Sequence, residues 1–304
     1  MSAELVKTLR DMTSAGFMNC KKALEECDND LEKAVEWLRK KGLSAAAKKS
    51  GRVTAEGVVS VKVADNYGIM LEVNSETDFV SKNDKFRDFV TKATDIAFSG
   101  KIASVDELKS QKYDSQKTIQ DETVNLIATI GENIGIRRIS TLEAPTLVAN
   151  YIHSSEFPGM GKIGVLVGVD TNCADKAIVF DFAKKIAMHI AATTQMALEV
   201  KDLDQNAVQK EREIITEQAR PKAKNEEILQ KMIEGRVSKF FEEVVVMEQV
   251  FVIDGKTKIK DLVKNFEKEN NCSLKITGYA KYTLGEGIEK QESNFAEEVM
   301  SQIK

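Results

Sequence analysis

The sequence is poor in the residues that most chemistry needs. Only two histidines and four cysteines occur among its 304 residues, and no two cysteines form a Cys-x-x-Cys pair. That excludes the usual metal-ligand spacings and a disulfide framework. Cys20, Cys27, Cys173 and Cys272 are expected to serve as small apolar residues in a reducing cytoplasm. Cys20 and Cys27 share a helix face but stand too far apart along it to bond. Prolines number three, and Trp37 is the single tryptophan. No apolar run reaches the roughly 18 residues of a membrane span, so none is expected. The start, Met1-Ser-Ala-Glu-Leu-Val-Lys, lacks a basic stretch followed by an apolar one and is not Arg-rich, so a cytoplasmic location is expected. The net charge is −4, so no global positive field draws the chain to nucleic acid or an anionic membrane. The local basic cluster Lys40, Lys41, Lys48, Lys49 and Arg52 lacks interleaved aromatics and reads as solvated charge. No cofactor, no resident metal and no direct nucleic-acid contact are expected.

What is present is periodicity. Residues 1–43 carry apolar residues at helical spacing in three stretches: Leu5, Leu9, Met12; Cys20, Ala23, Leu24, Cys27; and Leu31, Ala34, Val35, Leu38. Asp30 suits an N-cap, and Gly42 is placed as the residue that ends the third helix. Phe17 and Met18 sit in the first loop, either closing the bundle's end or offered to a partner. Residues 44–54, rich in Ala, Lys and Ser, are expected to be a linker. From Gly57 the texture becomes β: a hairpin over Gly57–Val63 and Ile69–Val73, then a helix carrying Phe86, Phe89, Val90 and Ala93, another near Val124, and a strand at Ile136–Ile139. The same order recurs about 93 residues later, with Asp181-Phe182 answering Asp88-Phe89. Its hairpin is Leu147–His153 and Lys162–Val169, and a last strand falls near Leu274–Tyr282. The expected fold class is α+β: a three-helix bundle, then a duplicated core of small antiparallel sheets with helices on one side, in subdomains 55–140 and 141–304. Within the second, residues 203–243 carry two helical stretches around Pro221, either a protruding antiparallel helical hairpin or a pair of ordinary core helices. A C-terminal helix is expected over about 292–304.

Candidate chemistry is thin. Gly159-Met-Gly161-Lys-Ile-Gly164 matches a dinucleotide-binding pattern in letters only, because a strand and not a helix follows it. His153-Ser154-Ser155 has no nucleophile elbow and no acid placed to orient the ring. His153, at a strand end, is a candidate partner contact, and His189, among Ile186, Ala187 and Ile190, a core-edge histidine. No catalytic residues are assigned, and an enzyme using the Gly159 hairpin and His153 is the weaker reading. A plain docking module built on residues 1–43 is the other rival.

The most informative segment is Glu72-Val-Asn-Ser-Glu-Thr-Asp-Phe-Val80, which puts a carboxylate, Asp78, and a ring, Phe79, where a strand passes into a helix. Either Phe79 packs locally while Asp78 caps the next helix, or the pair is presented outward from a rigid base. This segment, together with Leu9–Leu24, Gly131-Glu-Asn-Ile-Gly-Ile-Arg-Arg138, Ile186-Ala-Met-His-Ile190, Glu234-Gly-Arg236 and Gly285-Glu-Gly-Ile-Glu-Lys290, resembles the signatures of the bacterial elongation factor Ts family, in order along nearly the whole chain. The resemblance implies a guanine nucleotide exchange factor for the GTPase elongation factor Tu, with no active site of its own. It implies an N-terminal ubiquitin-associated-like bundle that docks on the GTPase, a two-part core, a coiled-coil hairpin and a C-terminal helix. It also implies that Thr77, Asp78, Phe79 and Val80 intrude beside the partner's nucleotide-bound Mg²⁺, with Arg10, Phe17, Met18 and His153 as further contacts. Phe17 stands where many relatives have Met, and Ser154–Met160 lengthens the loop after His153.

Overall fold

The computed structural model describes residues 3–13 and 15–289. Helices α1 (Ala3–Thr13), α2 (Phe17–Glu26) and α3 (Leu31–Lys49) form the N-terminal bundle. Their amphipathic faces meet on Val6, Leu9, Cys20, Ala23, Leu24 and Ala34. Asp30 caps α3, its carboxylate accepting the Lys33 N–H at 3.1 Å.

Gly42 does not end α3. The helix runs on to Lys49 and takes up the first half of the expected linker. A glycine so placed resembles a C-terminal cap in sequence, but here it marks a helix crossing. A Cβ at Gly42 would lie 3.6 Å from Val124 and 3.7 Å from Ala128 of α6 (Ile119–Ile130). Arg39 adds an ion pair to Asp121 of the same helix at 3.0 Å.

The first core unit comprises β1 (Glu56–Ala64), β2 (Tyr67–Ser75), α4 (Asp84–Ser99), α5 (Val105–Ser110), α6 and β3 (Ile134–Glu143). The second comprises β4 (Leu147–His153), β5 (Met160–Gly161), β6 (Ile163–Thr171), α7 (Lys176–Ala192), α8 (Gln205–Ala219), α9 (Glu226–Val244), α10 (Ile259–Asn270) and β7 (Leu274–Thr283). In each unit the second hairpin strand is central, flanked by the first strand and by the late one. The antiparallel register slips at the same step in both, between Glu72 and Val73 on β2 and between Gly168 and Val169 on β6. Strand β5 breaks this parallel. It crosses from the second unit to pair with β1, Val59 opposite Gly161 and Ser60 opposite Met160, so the first sheet has four strands and the second three.

Both sheets are covered on both faces, which is why β1 and β2 alternate only partly in sequence. Ile69, Leu71 and Val73 face Phe86, Phe89, Val90 and Ala93 of α4. In the second unit Val165, Val167 and Val169 face Phe182, Ile186 and Ile190 of α7. The opposite faces of the two sheets meet through Val59, Val61, Met70, Val148 and Leu166. Two glycines permit this approach: a Cβ on Gly68 would come within 2.9 Å of Leu166 and Val148, and one on Gly164 within 2.7 Å of Val59. Gly164→Ala is therefore expected to cost about 1–3 kcal/mol through overpacking. Urea denaturation measures it, and an unchanged midpoint would mean that the sheets are not so closely apposed.

Helices α8 and α9, joined through Arg220–Lys222, pack on each other through Ile215, Ala219, Leu229 and Ile233. Helix α10, which the sequence reading did not anticipate, fills the second core with Ile259, Val263 and Phe266, its Phe266 ring 4.5 Å from that of Phe182. The C-terminal helix expected over about 292–304 lies outside the described residues.

Candidate functional site

Strand β2 ends at Ser75, and a 3₁₀ turn, Asp78–Lys82, leads into α4. The turn is held from below by an exchange of carboxylates with the turn between α6 and β3. Glu132 accepts both the Thr77 N–H at 2.9 Å and the Thr77 hydroxyl at 2.7 Å. Glu76 in return accepts the Asn133 N–H at 2.6 Å and pairs with Arg52 at 3.2 Å. Ser75 donates its hydroxyl to the Thr77 carbonyl at 2.9 Å, and Ser81 to that of Asp78 at 2.6 Å. The bonds accepted by Glu132 and Glu76 are charge-assisted, which makes them the strong ones. They leave the turn little freedom.

On that base the side chains separate by role. Phe79 is 78% exposed. The Asp78 carboxylate is exposed beside it and takes no partner among the described side chains. Asn83, not Asp78, caps α4, accepting the Lys85 N–H at 3.0 Å and the Phe86 N–H at 3.4 Å. Thr77 is half-buried in the Glu132 bonds. Val80 is 3% exposed and belongs to the core with Phe86 and Phe89, so that it anchors the turn from inside.

Earlier on β2 stands Glu72, 0% exposed. It accepts from Arg137 at 3.1 Å, Arg138 at 2.5 Å, Asn74 at 3.0 Å and the Gly285 N–H at 2.9 Å. Burial opposes its charge, yet the Gly285 N–H, Asn74 and Arg138 hold its carboxyl below the usual glutamate value. Arg138 also reaches the Thr283 carbonyl at 3.0 Å, so the carboxylate fastens the segment after β7 to the first sheet.

The remaining expected residues lie apart from this turn. Phe17 is 54% and Met18 70% exposed, leaving closure of the bundle to Leu9, Cys20 and Leu24. Arg10 is exposed on α1. His153 is exposed at the end of β4, its Nδ1 3.0 Å from the Tyr151 hydroxyl. The loop after it returns toward the turn: Phe157 lies under the Arg87 guanidinium at 3.7 Å, and Arg87 donates to the Lys82 carbonyl at 2.7 Å. Gly159 opens no helix; its carbonyl accepts the Val61 N–H at 2.8 Å as the chain crosses to β5. His189 is buried, with Nε2 2.9 Å from Gln249. Among the described residues no three His, Cys, Asp or Glu side chains converge as a metal site would.

The supporting carboxylates Glu72, Glu76 and Glu132 were not singled out by role from the sequence. One signal was available for Glu72, a charge inside an otherwise apolar strand. Glu132→Ala removes the acceptor of the Thr77 N–H. The amide exchange of Thr77 is expected to speed up roughly 10- to 150-fold, the equivalent of a charged hydrogen bond worth about 1.5–3 kcal/mol. Exchange at the wild-type rate, followed by mass spectrometry or NMR, would show that the turn is held by something else.

Comparison with known proteins gives a consistent picture. A family described as Elongation factor TS matches residues 76–286, and one described as Elongation factor Ts, mitochondrial, N-terminal matches residues 1–51. Elongation factor Ts of Rhodospirillum centenum is 50% identical over 303 residues, covering 99% of this chain and 98% of that protein. That of Gluconobacter oxydans is 47% identical over 300 residues, covering 98% and 97%. That of Rickettsia felis is 43% identical over 300 residues, covering 98% and 96%.

Proposed function

We propose, for a chain that belongs to the elongation factor Ts family and is thus a translation elongation factor, that it binds elongation factor Tu carrying GDP and speeds release of the nucleotide. In this reading the Asp78–Phe79 turn enters beside the nucleotide's Mg²⁺. The observation that carries it is an exposed phenyl ring next to a carboxylate with no partner among the described side chains, on a turn locked by Glu132 and Glu76. A soluble protein has little reason to expose such a ring on a rigid base unless a partner covers it.

Exchange is a coupling between two binding events. If this chain weakens GDP binding, GDP weakens the chain's binding by the same factor. Shifting such an equilibrium by about 10⁴-fold takes about 5.5 kcal/mol of differential interaction. Burying one phenylalanine contributes about 1.5–3 kcal/mol. The ring alone falls short. Loss of the metal that bridges the phosphates to the GTPase makes up the difference, with Asp78 placed to compete for the cation's surroundings. A broad interface holds the distorted partner. Arg10, Phe17 and Met18 of the bundle, taken as ubiquitin-associated-like, supply one part of it, and His153 another. Helices α8 and α9 form the coiled-coil hairpin that projects from the second unit. The chain acts in the cytoplasm without an active site of its own and without touching nucleic acid.

The test is stopped-flow release of a fluorescent GDP from elongation factor Tu. Release accelerated by orders of magnitude on adding this chain is the expected result. Release at the intrinsic rate, with a complex nonetheless formed, would contradict the proposal.

A further inference from the structure

The ladder between β6 and β7 ends with Thr171 opposite Leu274. The two segments then continue side by side, with side chains replacing backbone partners. Thr171 donates its hydroxyl to the Ser273 carbonyl at 2.6 Å, and the Ser273 N–H donates to the Asn172 side chain at 2.7 Å. Carried two residues beyond that last pair, the same register sets Cys173 opposite Cys272. Directly opposed residues of an antiparallel pair lie about 4.5–5.5 Å apart at Cα, inside the span of about 4.4–6.8 Å that a disulfide accepts. Both ends are fixed: the Cys173 N–H donates to the Thr171 hydroxyl at 3.0 Å, and the Cys272 N–H to the Glu267 carbonyl at 3.1 Å. Cys272 packs against the core cluster that contains Cys173. Both are free thiols in this structure.

We propose that Cys173 and Cys272 are a modification site, a dithiol that a peroxide converts to an intramolecular disulfide. Cys272 is partly exposed and Cys173 buried, so Cys272 meets the oxidant. Its thiolate attacks a peroxide oxygen, the O–O bond breaks, and the released hydroxide takes up a proton to become water, leaving a sulfenic acid. The Cys173 thiolate then attacks that sulfur. The S–S bond forms, the S–O bond breaks, and the second hydroxide leaves as water. The cysteines lose two electrons, the peroxide gains them, and both thiol protons end in the waters. Burial pushes the Cys272 thiol up, and the neighbouring Cys173 thiol pushes it further. Little thiolate is therefore present at neutral pH, and the pair answers sustained peroxide, not traces. The bridge would tie the loop before α7 to the end of α10 and enclose the α8–α9 pair between its ends.

The experiment treats the folded full chain with hydrogen peroxide, alkylates the remaining thiols with iodoacetamide and maps the peptides without reductant. A Cys173–Cys272 bridged peptide, lighter by two hydrogens, is expected, with Cys20 still alkylated. Dithiothreitol abolishes the bridge, and so does C272S, in which Cys173 is recovered alkylated. Because mapping is done on the wild-type chain, the outcome does not depend on how well a variant folds. Recovery of both Cys173 and Cys272 as alkylated thiols would overturn the proposal. So would recovery of Cys272 as a sulfinic acid beside an unmodified Cys173.

Discussion

Phe79→Ala is expected to slow the GDP release stimulated by this chain by roughly 10- to 150-fold, the equivalent of the 1.5–3 kcal/mol that burial of the ring contributes. Its thermal midpoint should not change, because the ring is 78% exposed and supports nothing in its own fold. Complex formation should survive largely intact, since the other proposed contacts, Arg10, Phe17, Met18 and His153, are untouched. The combination of an intact fold, an intact complex and slow release separates a ring that acts on the partner from one that merely sticks to it. Fluorescent-GDP stopped flow and a pull-down measure the two quantities separately. Release at wild-type speed would remove the ring from the mechanism.

Glu72→Gln is the second large effect, and it falls on stability. The carboxylate holds Arg137, Arg138, Asn74 and the Gly285 N–H in one buried cluster. Neutralising it leaves two arginines facing an amide. Removing one partner of a buried pair costs about 3–5 kcal/mol. The lower end applies here, because Arg137 and Arg138 each keep some contact with water. The pH dependence follows in sign. The folded carboxyl titrates below the ordinary value of 4.5, so its contribution is complete above that pH. As the pH falls through the window beneath 4.5, the unfolded chain takes up the proton that the folded chain refuses, and stability drops. Denaturant melts from neutral to acid pH should show a steeper loss for the wild type than for Glu72→Gln. Parallel curves would place the acid sensitivity elsewhere.

The parts legible in the sequence are those whose signal is local. Helical spacing located α4 and α7, and the recurrence of Asp88-Phe89 as Asp181-Phe182 marked two units of one plan, now seen also in the matched register slips of β2 and β6. The turn at Asp78-Phe79 was legible as a place, since a strand, an acid, an aromatic and a polar cap follow one another there. What escaped depends on distant partners. Gly42 has the look of a helix stop until α6 is seen packed across it. Strand β5 is two residues long and exists only because β1 has an open edge. Val80 adjoins an exposed ring in sequence, yet a 3₁₀ turn points it into the core. Glu76 and Glu132 find their partners across two turns far apart in the chain, and Cys173 meets Cys272 only through the β6–β7 ladder. Helix α10 is the exception: Ile259, Val263 and Phe266 had the right spacing, and the signal went unread.

The most direct measurement of the central claim is the acceleration of GDP release by this chain across a series of free Mg²⁺ concentrations, down to full chelation. If the turn works by loosening the metal, the acceleration is large when Mg²⁺ is abundant and shrinks as chelation removes what there is to displace, with wild type and Phe79→Ala converging. An acceleration of the same size with and without Mg²⁺ would contradict the account.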